Sequence, residues 1–278
     1  MRLGGGAFLM GSKAADAKPE DGEGPVCEEY VEPFLIDPKT VSNAAFAAFA
    51  AASGYETDSE RIGWSFVFKG LFDGAKPDRL GTSAGAPWWL AVKGASWRRP
   101  LGPGSGIGAI QNHPVVHISW RDANAYCAWA RVRLPTEIEW EYAARGGLEQ
   151  KTYPWGDELM PGGRHACNIW QGVFPNHNTL GDGYFGTAPC NAFRSNGYGL
   201  YNVVGNVWEW CSDAWSVPRV PLSPQSSSDD PRVLRGGSYL CHDSYCNRYR
   251  VAARTQNTPN SSSGNTGFRV AADASVDS

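Results

Sequence analysis

The chain has 278 residues, and its 25 Lys and Arg residues against 28 Asp and Glu residues give a formal charge of −3. No segment is rich in lysine or arginine, so we expect neither a nucleic acid nor a membrane surface as a partner. No apolar run approaches the roughly 18 residues that a membrane span requires. Met1-Arg2 leads into glycines without the apolar core of a signal peptide, so no export is predicted.

Glycine and aromatic residues set the expected architecture. The 33 glycines and 19 prolines together exceed the ordinary share of roughly 12%, which indicates many loops and turns. The 12 Trp, 11 Tyr and 11 Phe residues supply bulky core material. No internal repeat or clear linker is visible. We therefore expect one irregular, loop-rich domain over residues 1–278.

Three helices are predicted in chain order. Asn43 precedes an alanine-rich helix over residues 44–52, with Phe46 and Phe49 three positions apart and Gly54 after its end. Ser119 is the predicted N-cap of a helix around Trp120–Ala130. Thr136-Glu-Ile-Glu139 has the pattern of a capping box and opens a third helix that ends at Gly146. These helices are expected to be scaffold.

Long loops are predicted where glycine and proline cluster between or after these helices. Loops of this length are uncommon in a compact domain unless they bind something or pack on themselves. The segments are residues 70–87, 98–112 and 217–231.

The cysteines indicate a reducing environment. Their number is 7, which is odd, and no Cys-x-x-Cys occurs, so a disulfide framework is not expected. The simplest location is a bacterial cytoplasm.

One cysteine pair has an unusual spacing. Residues five apart on a helix are rotated by about 140°, and on a strand an odd separation points side chains to opposite faces. Cys241 and Cys246 can therefore converge only on a turn. Arg248, Arg250 and Arg254 follow, and cations near a thiolate lower its pKa and improve it as a metal ligand or nucleophile. From the residues alone, a small structural disulfide or two buried thiols is an equal alternative.

The surrounding sequence closely resembles that of formylglycine-generating enzymes. Most of the matching blocks mark the wider fold, whereas the cysteine pair within Gly-Gly-Ser-Tyr-Leu-Cys241 singles out the oxidase branch. The resemblance implies an α+β, irregular, loop-rich single domain related to the C-type lectin fold. The matching blocks lie at residues 4–12, 113–120, 133–142, 153–156, 168–172, 196–210, 236–254, 257–263 and 267–269.

The resemblance also implies an activity. Such an enzyme is a copper-dependent oxidase that converts a cysteine in a Cys-x-Pro-x-Arg segment of an unfolded sulfatase to Cα-formylglycine. It consumes molecular oxygen and a thiol reductant. Cys241 and Cys246 would hold Cu(I), which prefers soft thiolates, and the substrate thiolate would be the third ligand. Ser238 and Tyr245 are candidates to order oxygen or water, and Trp208 is a candidate wall of the pocket.

Two structural calcium sites are implied by the same resemblance. The first would be held by Asn168, Ile169, Asp182 and Tyr184, and the second by Asn202, Gly205, Val207 and Glu209. Amide, carboxylate and carbonyl oxygens suit this hard cation. From the residues alone, a hydrogen-bonded turn with solvated acids is favoured over an ion site for both segments, and only the resemblance reverses that preference. Some relatives have a further glutamate ligand where this chain has Thr40.

The same comparison addresses disulfides. Secreted animal members of the family carry structural disulfides, and Cys127 matches one half-cystine, but its partner position is Val270 here. A second family pair falls on Ala144 and Val251. Cys127 is therefore expected to be a free thiol in the second helix.

Other functions remain open. The chain could be a lectin-like binding module or an inactive paralogue, although inactive relatives are expected to lack the cysteine pair. It could also be a metal-free thiol oxidoreductase that cycles Cys241 and Cys246 as a disulfide. The five histidines show no spacing typical of an iron site with two histidines and one carboxylate. A monomer is expected.

Overall fold

The computed structural model of the chain describes residues 1–72, 77–219 and 227–274. Its α-helices are α1 (Asn43–Ser53), α2 (Asp58–Ile62), α3 (Trp120–Ala130) and α4 (Glu137–Arg145). Its strands are β1 (Arg2–Leu3), β2 (Gly6–Met10), β3 (Cys27–Val31), β4 (Phe34–Ile36), β5 (Trp64–Phe68), β6 (Arg79–Ser83), β7 (Ala86–Lys93), β8 (Gly172–Val173), β9 (His177–Asn178), β10 (Trp208–Ala214), β11 (Arg232–Arg235), β12 (Arg254–Asn257), β13 (Thr266–Gly267) and β14 (Ala271–Asp273).

The strands form small sheets joined by long irregular segments. The sheet that matters most for the site has the order β12-β11-β10-β13, in which β10 is antiparallel to β11 and parallel to β13. A second sheet, β1-β4-β14, pairs the first strand with the last through β4. This mixed arrangement of few helices, short strands and many loops confirms the predicted α+β, loop-rich class.

The three predicted helices are present, and their caps follow the sequence closely. The Ser119 side chain accepts the Asp122 N–H, and the Thr136 side chain accepts the Glu139 N–H, each within a complete capping box. Helix α1 begins at Asn43, one residue earlier than predicted, and Ser42 is its N-cap. The amide side chain of Asn43 donates to the Ile110 carbonyl at 2.9 Å. In the ranges that the structure describes, no helix has both the length and the apolar character needed to cross a membrane.

The predicted loop over residues 70–87 was partly wrong. It contains β6 and the start of β7, which pair antiparallel. The four residues 79–82 of β6 are exposed, so this strand shows no alternation of buried and exposed positions that the sequence could reveal. Residues 73–76 of this segment, and residues 220–226 of the predicted loop 217–231, lie outside the described part of the chain.

The main aromatic core lies between α1, α3 and the four-stranded sheet. Phe46 and Phe49 of α1 are both buried, with their ring centroids 5.2 Å apart. The same cluster of buried side chains includes Cys241 and Cys246. The two cysteine side chains of this turn therefore pack in the core of the protein and do not lie on a surface loop.

A network of buried ion pairs joins α4 to strands β11 and β12. Glu137 accepts two hydrogen bonds from Arg254, both at 2.7 Å, and one from Arg235 at 3.1 Å. Glu141 in turn accepts from Arg235 and Arg145. All five side chains are nearly inaccessible to solvent. The helix is thereby fixed against the two strands that flank the cysteine turn.

Candidate active site

Two glycines turn the chain from the end of β11 into the cysteine segment. Gly236 and Gly237 have φ values of 94° and 73°, which favour a residue without a side chain. A Cβ atom on Gly237 would lie 2.8 Å from the Arg248 carbonyl oxygen, so the chain segments at Gly237 and Arg248 could not approach each other as closely. This explains the Gly-Gly pair before Ser238.

The turn brings the two predicted thiols together. The Cys241 N–H donates to the Ser238 carbonyl at 2.9 Å, and the Cys246 N–H donates to the His242 carbonyl at 2.7 Å. The two Sγ atoms lie 2.8 Å apart, and both cysteines are free thiols with at most 7% of their surface exposed. The convergence expected from their spacing is confirmed.

The two thiols have different electrostatic surroundings. Burial raises the pKa of Cys241 well above its ordinary value. A hydrogen bond from Cys241 lowers the pKa of Cys246, and the charge of Arg248 lowers it further. When the pair ionises, the negative charge is therefore favoured on Cys246, with Cys241 as the hydrogen-bond donor.

Only one of the three expected arginines acts on the thiols. Arg248 donates to Asp21 at 2.7 Å and lies beside Cys246. Arg250 is bound by Glu23 through two hydrogen bonds of 2.6 and 2.9 Å, and Arg254 belongs to the α4 network. Arg250 and Arg254 were therefore wrongly expected to supply charge to the site. Each is instead neutralised by a buried carboxylate.

The thiols lie at the wall of an open cavity of about 400 Å³. Its lining mixes polar and apolar residues, with Trp208 and Tyr245 among the aromatic ones. The Ser238 hydroxyl accepts the Asn265 amide at 2.9 Å, which leaves its own proton able to point elsewhere. The lining includes Trp89, Trp208, Ser238, Cys241, Tyr245, Cys246, Arg248, Gln256, Asn257, Ser261, Ser263, Asn265 and Thr266. Thus all five predicted reaction-site residues meet here.

Tyr245 forms part of an aromatic wall at the mouth of the cavity. Its ring stacks on Phe174 with centroids 4.6 Å apart and meets Trp88 edge-on at 4.7 Å. Its side chain is 43% exposed. Burial of the rest of the residue, together with the nearby thiols, raises the pKa of Tyr245. Its phenol therefore remains a hydrogen-bond donor at neutral pH.

Asn265 and Asp21 are site residues that the sequence reasoning did not identify. Asn265 lies between two of the matching blocks, 257–263 and 267–269, and has no distinctive local pattern. Asp21 contacts Arg248 from 227 positions away in the chain. No local sequence signal reports a contact of that range.

The four residues of the first predicted calcium site also lie together. The Asp182 carboxylate accepts the N–H groups of Ile169 and Tyr184, each at 3.0 Å. The Asn168 side-chain oxygen is buried and has no hydrogen-bond partner among the described residues. The Gln171 amide donates to both the Ile169 carbonyl and Asp182. A cation bound by these two oxygens would have to displace that amide.

The second predicted calcium site is more constrained. The Asn202 side-chain oxygen is likewise buried and without a partner within the described ranges. Both oxygens of Glu209, however, accept from Arg269, and one also accepts from Trp140 at 2.8 Å. A carboxylate has about four lone-pair positions, so one remains for a metal. Gly205 and Val207 lie on the segment between these residues.

The remaining metal-binding residue types do not cluster. Among residues 1–72, 77–219 and 227–274, no group of three or more His, Cys, Asp or Glu side chains could hold a metal ion. His117 is fully buried between the Ser65 hydroxyl and the Pro100 carbonyl, and burial lowers its pKa to about 4. Cys127 is a free buried thiol in α3, as expected. A larger hollow of about 590 Å³, at Trp155 and Arg164, has no cysteine in its lining.

A family comparison covers almost the whole chain. Residues 1–274 match the model of the sulfatase-modifying factor enzyme 1-like domain. Among solved structures, PvdO from Pseudomonas aeruginosa is similar in fold, with a TM-score of 0.69, 22% identity and coverage of 99% of this chain and 94% of that chain. Treponema denticola variable protein 1 has a TM-score of 0.57, 18% identity and coverage of 98% and 94%.

Curated relatives are more similar in sequence. The formylglycine-generating enzyme of Thermomonospora curvata is 60% identical over 97% of this chain and 91% of its own length. That of Mus musculus is 54% identical over 96% of this chain and 73% of its own length. A Bos taurus relative named as an inactive formylglycine-generating enzyme is 46% identical over 99% and 88%. The chain therefore belongs to the sulfatase-modifying factor family, that of the formylglycine-generating enzymes.

Proposed function

We propose that this chain oxidises a cysteine in a Cys-x-Pro-x-Arg segment of an unfolded sulfatase to Cα-formylglycine. One molecule of oxygen and two reductant thiols are consumed. The substrate CH₂–SH group becomes an aldehyde, its sulfur leaves as H₂S, the two thiols form a disulfide and one water is produced. Two electrons come from the substrate carbon and two from the reductant, which together with the protons balance the reduction of oxygen.

The observation that carries this proposal is the buried pair of free thiols at the wall of an open cavity. Disulfide scaffolds and packed core cysteines have no need of such an opening. A cavity of about 400 Å³ beside Cys241 and Cys246 leaves space for a substrate side chain and a small molecule such as oxygen. Trp208 and the aromatic wall at Tyr245 would limit the access of water.

The residues fit a copper ion of low coordination number. Cys241 and Cys246 supply two soft sulfur donors from one turn, and the pKa of Cys246 is lowered by Cys241 and Arg248. Soft thiolates select Cu(I) over calcium or magnesium. When bound, copper would supply one-electron chemistry towards oxygen.

The surrounding side chains would hold and orient the reactants. The Ser238 N–H donates to the Cys241 sulfur at 3.4 Å and would stabilise that sulfur once it is deprotonated as a copper ligand. The Asn265 amide fixes the Ser238 hydroxyl, whose proton can then point towards oxygen or water in the cavity. Arg248, held by Asp21, keeps positive charge beside Cys246. Loss of hydrogen from the substrate Cβ would give a thioaldehyde, which water converts to the aldehyde with release of H₂S.

The test is an assay with a synthetic Cys-x-Pro-x-Arg peptide, copper, oxygen and a thiol. We expect an aldehyde that reacts with a hydrazide probe and appears by mass spectrometry at the cysteine position. A peptide with alanine in place of that cysteine is the control. Binding of the cysteine peptide without any aldehyde would support an inactive paralogue or a binding module instead.

A second candidate is a metal-free thiol oxidoreductase. The separation of 2.8 Å between the two sulfur atoms would allow a disulfide to form after a small movement. This function predicts disulfide exchange without copper and no aldehyde on the peptide.

Our proposal retains a monomer as the working unit and a bacterial cytoplasm as its location, where thiols stay reduced.

We also propose that calcium binds at the two asparagine sites. The buried, unpaired side-chain oxygens of Asn168 and Asn202 support this, because an unsatisfied buried acceptor is costly.

Removal of calcium should lower the melting temperature, since an ion bound only to the folded state stabilises it. Asp182→Ala should lower it by a similar amount and abolish the response to chelation at that site. Calorimetric melting with and without a chelator measures both effects. An unchanged melting temperature with no ion in elemental analysis would contradict the assignment.

A further inference from the structure

A chain of side-chain hydrogen bonds runs along the wall of the reaction cavity. The Ser263 hydroxyl donates to the Asn265 side-chain oxygen at 2.8 Å, and the Asn265 amide donates to the Ser238 hydroxyl at 2.9 Å. The Ser263 hydroxyl oxygen also lies 2.9 Å from the Thr266 hydroxyl oxygen. All four residues line the cavity. The contact between Asn265 and Ser238 is therefore the last part of a longer chain.

Backbone hydrogen bonds hold this chain in place. The His117 N–H donates to the Ser263 carbonyl at 2.9 Å, and the Trp208 N–H donates to the Asn265 carbonyl at 2.8 Å. Thr266 is the first residue of β13, where it pairs with Trp208 of β10. Asn265 and Thr266 are both buried. The side chains of the chain therefore start from fixed backbone positions.

The hydrogen bonds of the chain all have the same direction. A serine hydroxyl has one proton to donate and can accept through two lone pairs. Ser263 gives its proton to Asn265, so its oxygen is the acceptor in the contact with Thr266. Asn265 accepts through its side-chain oxygen and donates through its amide. Each residue, from Thr266 to Ser238, thus donates to the next.

Ser238 is the last member of the chain. Its hydroxyl oxygen accepts the Asn265 amide and also the Leu240 N–H at 3.4 Å. Both lone pairs are then occupied, and the hydroxyl proton remains to be donated. This proton is left for the Cys241 sulfur, with which the Ser238 side chain interacts, or for a molecule in the cavity.

We propose that Ser263 and Thr266 are positioning residues, which fix the Asn265 side chain so that the Ser238 proton is directed into the reaction site. This inference rests on the proposed function. Without the Ser263 hydroxyl, the Asn265 oxygen loses its hydrogen-bond partner, and the side-chain amide is free to turn over. Asn265 then accepts the Ser238 proton, and that hydroxyl has no proton left for the reactants.

The test compares Ser263→Ala and Thr266→Val with the wild-type protein in the Cys-x-Pro-x-Arg peptide assay. We expect kcat to fall about three- to tenfold in Ser263→Ala, as for the loss of one hydrogen bond between uncharged groups. The fall should be smaller in Thr266→Val, which removes the more distant hydroxyl. The KM for the peptide should stay the same, because the chain orients a proton and does not bind the peptide. Ser263→Thr keeps the hydroxyl and should retain kcat.

The side-chain amide of Asn265 provides a readout that does not depend on turnover. Its signals in proton–nitrogen correlation spectra should shift in Ser263→Ala and stay near their wild-type positions in Ser263→Thr. Ser105→Ala is the matched control, because the partly buried Ser105 hydroxyl also donates a hydrogen bond, to the Gly102 carbonyl at 2.7 Å, but lies outside the cavity. It should change neither kcat nor the Asn265 signals.

An unchanged kcat in Ser263→Ala, or unchanged Asn265 signals, would overturn the proposal and indicate that water replaces the hydroxyl. A higher peptide KM with kcat retained would also overturn it, because Ser263 would then be a substrate contact. Absence of aldehyde with the wild-type protein would instead contradict the proposed function. In that case the Asn265 signals would still decide whether Ser263 fixes the amide.

Discussion

Replacement of either Cys241 or Cys246 with serine should reduce aldehyde formation by roughly three orders of magnitude or more, as removal of a group on which the chemistry depends commonly does. Serine nearly preserves the volume of cysteine, but its hydroxyl is a hard and far less acidic donor, so the affinity for copper should fall steeply. Peptide binding should persist, because the cavity wall at Trp208 and Tyr245 is retained. Mass spectrometry of the peptide and copper analysis of the protein measure the two effects.

Cys27→Ser is the matched control for these variants. Cys27 is a free, partly exposed thiol in β3 that does not line the reaction cavity. The control should keep full activity and full copper content. Turnover at the wild-type rate by Cys241→Ser or Cys246→Ser would show that the thiol pair is not the site of oxidation.

Glu137→Gln should lower the free energy of unfolding by about 3 to 5 kcal/mol, the usual effect of removing one partner from a buried ion pair. The substitution leaves the shape of the side chain almost unchanged, but Arg235 and Arg254 lose their shared carboxylate while remaining buried. Urea unfolding monitored by tryptophan fluorescence measures the change. Aldehyde formation by the folded variant, at urea concentrations below its unfolding transition, should also fall, because these arginines lie on the strands next to the cysteine turn.

The surface pair between Arg133 and Asp273 provides the comparison. Its atoms lie 2.8 Å apart, but 87% of the Asp273 side chain is exposed. Asp273→Asn should therefore change the free energy of unfolding by less than about 1 kcal/mol. A similarly small effect of Glu137→Gln would contradict the structural role that we assign to the buried network.

The sequence predicted the helices well because their signals are local. Ser119 and Thr136 each cap a helix through a hydrogen bond that spans only three residues. Strand β6 was missed for the opposite reason. It pairs with β7, but neither of its faces is buried. Its sequence therefore shows no alternation of apolar and polar residues from which a strand could be predicted.

The candidate site was predicted in part. The spacing of Cys241 and Cys246 required a turn, and the structure has that turn. The positions of the arginines relative to the thiols were not predicted correctly. Whether Arg250 faces the thiols or Glu23 depends on a contact across 227 positions, which no local pattern determines. The metal assignments came from family resemblance, since thiols and amide oxygens alone do not identify an ion.

The most direct test of the central claim is aldehyde yield measured as a function of copper bound to the protein. The apoprotein would be prepared with a tight Cu(I) chelator, titrated with Cu(I), and assayed on the Cys-x-Pro-x-Arg peptide with oxygen and thiol. Our proposal predicts no activity without copper, a linear rise to one equivalent per chain and no rescue by zinc, which cannot change its oxidation state. Turnover at the full rate by the copper-free protein would contradict it and favour the metal-free disulfide mechanism.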